Sequence, residues 1–214
     1  MFVGHLGAGL AAKAADERIN LGLLFGAAML LDAALWAFAL ASWEHFAVPP
    51  DFARRHYLLF DFPLSHSLLA ALLWSLTAAL LWGRYAGRGA LIVALVIFSH
   101  WPLDALTHIP ELSLWGGSSP RVGLDLLDHQ PWALIAEGAV AALGLALFLA
   151  RARLTHWRKL AVAALVLSVG ILTWAGSVAT APPPGTRILA LTSLAGIALI
   201  AALAALADRG AKPA

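Results

Sequence analysis

The stretch Ser99-His100-Trp101-Pro102-Leu103-Asp104-Ala105-Leu106-Thr107-His108 decides how this chain is read. It closes an apolar run, Ala90 to Phe98, that only a buried or membrane helix accommodates. His100, Asp104 and His108 follow one another at steps of four. Each such step advances about 40° around an α-helix, so the three side chains point to one side. An ionised aspartate at mid-bilayer costs roughly 2.5–3.5 kcal/mol. A divalent cation offsets that cost, because it takes neutral imidazole and carboxylate together. Pro102 lies between the first two of the three and removes the hydrogen bond to the Phe98 carbonyl, which predicts a kink.

The surrounding composition is that of a lipid-embedded chain. Of 214 residues, 61% are hydrophobic and 12% charged, against about 25% charged in soluble domains. The lack of cysteine excludes disulfides, thiolate metal sites and cysteine nucleophiles, leaving His, Asp and Glu as the strong ligands. A net charge of +2 is too small to indicate nucleic acid as a partner. No cleavable signal peptide is expected, since Lys13 follows the apolar start instead of preceding it.

Hydropathy and breakers predict an all-α polytopic membrane bundle with about six transmembrane helices in a single integral membrane domain, residues 1–214. The expected spans are helix A (about 19–41), B (64–83, with Ser65 as N-cap), C (89–108), D (132–150), E (about 160–181) and F (about 188–207). Residues 1–12 are apolar but half the length of a span, and read as a re-entrant or half helix ended by the charged cluster Lys13, Asp16, Glu17 and Arg18. With six spans and an inner N-terminus, ten basic residues fall inside: Lys13, Arg18, Arg84, Arg88, Arg151, Arg153, Arg158, Lys159, Arg209 and Lys212. Four (Arg54, Arg55, Arg121 and Arg187) fall outside, a positive-inside bias that puts both termini in the cytoplasm of a bacterial inner membrane.

That topology sets depth. Helix C travels outward, so His100, Asp104 and His108 climb from mid-bilayer toward the outer surface. Asp32 lies roughly 20 Å up helix A, and His5 about 12 Å above Lys13, at 1.5 Å per residue. His66 and Glu137 sit just below the outer rim of helices B and D. The lone polar residues of five segments therefore converge in the outer half of the membrane, and intramembrane ionisable groups are functional by default. Residues 1–140 form the site region; 150–214 supply two accessory helices for packing, lipid shielding or a homodimer.

Gly4-His5, the lone Asp32 of a Gly-rich first span, Ser65-His66-Ser67-Leu-Leu and His100-x-x-x-Asp104 together resemble the bacterial membrane-bound metal-dependent hydrolase family. That family is in turn distantly similar to zinc-dependent phospholipase C proteins. The resemblance covers roughly residues 1–140 and implies that His5, Asp32, His66, His100 and Asp104 are metal ligands. The chain departs from the family pattern at Leu31, where a proline usually precedes the acid. Phosphohistidine lipid phosphatases share Ser-His-Ser and His-x-x-x-Asp, but need an Arg shortly before the latter. No basic residue lies between Arg88 and His100, which excludes them.

The expected function is hydrolysis of an ester or phosphoester of a lipid or lipid-linked substrate, with one or two divalent ions activating water. Imidazole-rich ligation favours zinc. Glu137, Asp61 or His108 would take and return the proton. The alternatives are a proton- or metal-translocating carrier, for which the inner halves of helices A–D lack polar residues, and a haem protein ligated by His66 with His100 or His108.

Overall fold

Helix breaks, more than helices, shape this molecule. The computed structural model describes residues 1–209; Lys212, one of the ten inner basic residues, lies outside them. The elements run α1 (Val3–Ala15), α2 (Leu21–Ala28), α3 (Leu30–Leu40), β1 (His45–Ala47), α4 (Phe52–Arg55), β2 (Leu59–Asp61), α5 (Pro63–His66) and α6 (Leu68–Ala86). They continue with α7 (Arg88–Thr107), β3 (Leu112–Ser113), β4 (Arg121–Val122), a 3-10 turn at Leu126–His129, α8 (Gln130–Arg151), α9 (His156–Ser177) and α10 (Thr186–Asp208). The all-α architecture is as expected, and the strands form two small antiparallel hairpins in the long loops.

Length and composition alone support part of the expected six spans. Among the described residues, four helices are long and apolar enough to cross a membrane: α7, α8 with its 3-10 turn, α9 and α10. Expected helix A is instead two short helices, α2 and α3, bent by 54° at Met29; counted as one broken span they make five. Expected helix B splits as well. Ser67 adopts an extended conformation between α5 and α6 and caps α6 by accepting from the Ala70 N–H at 3.0 Å, the role expected of Ser65. What remains apolar of that helix, Leu68–Gly83, is shorter than a full span. Helix α7 runs through Pro102 to Thr107, and His108 caps it in an extended conformation rather than continuing the helix.

The N-terminal half helix exists and is buried, and it ends within the charged cluster, at Ala15 with Asp16 as its C-cap. Lys13 lies inside α1, 2% exposed, and donates to Asp208 Oδ2 at 2.7 Å and to the Ile19 carbonyl at 3.0 Å. Asp208 also accepts from the Leu21 N–H at 2.7 Å, so this buried pair ties α10 to the α1–α2 turn. Helix α1 packs tightly on α8, because Gly7 and Gly144 face each other with no room for a side chain on either. One apolar cluster joins α1, α2, α8, α9 and α10 through Leu6, Phe25, Phe148, Val166 and Ile197. A second joins α2, α3, α6 and α7 through Leu24, Leu31, Ala71, Val93 and Ile97. The outer faces of α9 and α10 leave Leu167, Leu172 and Leu199 more than half exposed, as a lipid-facing surface requires.

Candidate metal centre

The break at Met29 builds one wall of the site. It ends α2 at Ala28 and starts α3 at Leu30, which puts Asp32 in the first turn of a new helix, where the dipole favours an anion. It also turns the Ala28 carbonyl toward α7, where it lies 2.7 Å from Nδ1 of His100. A carbonyl only accepts, so Nδ1 carries the proton and Nε2 of the neutral ring presents a lone pair. The break at Ser67 does the same for His66. Ser65 Oγ lies 2.7 Å from Glu44 Oε2 and donates to it, and lies 2.8 Å from His66 Nδ1, from which it accepts. His66 Nε2 is therefore also a bare lone pair. Glu44 is held in place by the Leu64 and Ser65 N–H groups at 2.7 and 2.8 Å. Burial pushes its carboxyl up and those hydrogen bonds oppose the shift.

The two lone pairs face each other at 3.2 Å. Around them, His66 Nε2 is 3.6 Å from Asp32 Oδ1 and 3.5 Å from Asp104 Oδ2, and His100 Nε2 is 3.7 and 3.2 Å from the same atoms. Four donors bonded tetrahedrally at about 2.0–2.1 Å to one zinc stand about 3.3 Å apart. The ring-nitrogen pair fits that spacing, and Asp32 joins His66 and His100 in one group with ligand atoms within 4.8 Å of one another, a group that does not include Asp104. His5, His100 and Asp104 form a second such group, with all three buried. His5 Nε2 is 3.1 Å from Asp104 Oδ1, and the His5 and His100 rings stack at 3.6 Å and 11°. His100 is thus common to both groups, and Asp104 meets His5 in the second through Oδ1. The α-amine of Met1 lies 2.5 Å from the same Oδ1.

All five expected ligands therefore meet, and His108 reaches their edge with Nε2 3.8 Å from Asp104 Oδ1. Its Nδ1 is 2.7 Å from Glu111 Oε1, and Glu111 is fixed in turn by the Phe60 N–H at 2.9 Å. The other two expected proton carriers stand elsewhere. Asp61 is exposed on β2 and pairs with Arg121 at 3.3 Å. Glu137 is buried and accepts from the backbone N–H groups of Phe2 and Gly4, so it caps α1 and carries His5 to the centre. Glu44, Glu111 and the Ala28 carbonyl were not singled out from the sequence. Only Glu111, three residues after His108, left a spacing signal. His66 and His100 leave no space between their ring nitrogens for a porphyrin, which removes that pair as haem ligands.

A cavity of about 210 Å³ opens beside the cluster, lined by Asp32, His66, Asp104 and His108 together with Trp36, Phe60 and Phe62. No family model matches the chain, and neither any curated protein nor any solved structure is found to be similar to it.

Proposed function

We propose that this is a membrane-embedded metal-dependent hydrolase, with its site toward the outer leaflet of a bacterial inner membrane. One observation carries the reading: two imidazole lone pairs 3.2 Å apart, each fixed by a partner on its other nitrogen, beside two carboxylates. Facing lone pairs repel unless a cation or a shared proton lies between them, and two adjacent carboxylates favour the divalent cation. The residues that would hold it form two sets that share His100: Asp32 with His66, and His5 with Asp104. Zinc suits this imidazole and carboxylate set. The resemblance of the Gly-His, Ser-His-Ser and His-x-x-x-Asp segments to membrane-bound metal-dependent hydrolases points the same way. Six crossings result if α2–α3 and α6 each span once alongside the four long helices.

When bound, such an ion supplies Lewis acidity and brings the pKa of water near 7. The chain's own part is to position and to move protons. Ser65 and the Ala28 carbonyl hold the two imidazoles in one tautomer, and Glu44 fixes Ser65. His108 faces the cavity, with its Nδ1–H held by Glu111, so its Nε2 is free to take a proton from water and return it to a leaving group. Asp61 and Glu137 have other partners and take no part in this account.

Dialysis of the purified protein against a chelator tests the proposal. Ester hydrolysis should vanish and return when zinc is added. Undiminished turnover by the metal-free protein would refute it.

A further inference from the structure

Resting on that hydrolase reading, we propose that the site takes an uncharged carboxylic ester rather than a phosphoester. The cavity beside the cluster has aromatic walls in Trp36, Phe60 and Phe62. Among the described residues that line it there is no lysine or arginine. Its one cationic group is the Met1 α-amine, already 2.5 Å from Asp104 Oδ1. The nearby loop arginines are engaged as well. Arg55 pairs with Asp51 and Asp128, and Arg121 with Asp61.

A phosphoester brings at least one negative charge and further oxygens that gather charge in the transition state, and phosphoryl-transfer sites meet them with Arg, Lys or several cations. Here an anion would meet two carboxylates, and aromatic faces whose quadrupole is itself negative. A divalent cation held beside Asp32 and Asp104 is already neutralised by them. An ester carbonyl enters uncharged and develops charge on a single oxygen, which one cation can stabilise.

The reaction balances with water alone. The water oxygen bonds to the carbonyl carbon and the bond from that carbon to the alcohol oxygen breaks. One proton passes from water to His108 Nε2 and from there to the departing alkoxide, giving a carboxylic acid and an alcohol. The lining includes Ser193 of α10, so the cavity draws on a helix whose sequence holds no ionisable residue between Ile188 and Ala207.

The test uses the full-length, zinc-loaded protein in detergent with p-nitrophenyl butyrate and bis(p-nitrophenyl) phosphate as probes. Hydrolysis of the butyrate with no detectable hydrolysis of the phosphodiester is expected. Turnover of the phosphodiester, alone or at comparable kcat/KM, would overturn the substrate class and leave the hydrolase reading standing. Turnover of neither would overturn the hydrolase reading and this inference with it. Ser193→Trp, which fills the cavity without removing a ligand, should abolish butyrate turnover while zinc content is unchanged. Unaltered kinetics in that variant would place the substrate outside this cavity and overturn the inference.

Discussion

Replacing Gly7 by alanine should loosen the proposed metal centre without touching any of its proposed ligands. A Cβ on Gly7 would stand 2.4 Å from the Val140 carbonyl oxygen and 2.9 Å from the Ala141 Cα, both on α8. Ordinary contact begins about 1 Å further out, so α1 must move off α8 by about that much. His5 lies two residues before Gly7 on the same short helix, with its Nε2 3.1 Å from Asp104 Oδ1. Metal sites tolerate ligand displacements of about 0.2 Å, several times less than the shift required. Zinc affinity should fall about 10–100-fold, the range seen when support around a ligand is lost. The overpacking itself should cost about 1–3 kcal/mol, small enough for the protein to be isolated and measured. The assay is zinc retention against a graded chelator, paired with thermal unfolding. Gly138→Ala serves as the control, since a Cβ there meets nothing within 4 Å. Wild-type zinc affinity in the Gly7→Ala protein would show that α1 does not hold His5 to the ion, and would refute the reasoning.

Other perturbations separate the parts of the account. Ser65→Ala removes the acceptor that fixes His66 Nδ1–H, and should weaken zinc binding about 10–100-fold in the same chelator titration. Glu111→Gln leaves every proposed ligand in place, so steady-state kinetics should show kcat lowered by about 10²–10⁴ with zinc content unchanged. Lys13→Met leaves Asp208 buried without its cation and should destabilise the fold by about 3–5 kcal/mol, read by denaturant unfolding, with much of the loss recovered in a Lys13→Met, Asp208→Leu double variant. The Tyr57 phenol is pushed up to about 12, first by burial and then by its hydrogen bond to Asp128. An absorbance titration should therefore show one of the chain's two tyrosines ionising well above the usual value near 10, and Asp128→Asn should bring it down.

The buried His/Asp cluster was legible because lone ionisable residues stand out in apolar helices, and a common depth follows from counting residues inward from the basic ends. That arithmetic brought His5, Asp32, His66, His100 and Asp104 together from four segments. It could not place side chains at loop and rim positions, where orientation depends on tertiary contacts. Asp61 therefore sits on an exposed strand against Arg121, and Glu137 spends its carboxylate on the first amides of α1. The breaks at Met29 and Ser67 were equally hidden, since neither carries a proline or glycine at the break itself. Both serve the site: one frees the Ala28 carbonyl for His100, and the other leaves Ser65 beside His66. The burial of Lys13 against Asp208 was not legible, because the two are 195 residues apart. The contact of Gly7 with Gly144 was foreshadowed only by the small residues of the first helix.

The most direct test of the central claim is elemental analysis of the purified protein beside its His100→Ala and Asp104→Ala variants. At least one divalent ion per wild-type chain, lost from both variants, is the predicted result. A wild-type protein that binds no divalent metal under any loading condition, or variants that keep a full complement, would contradict it.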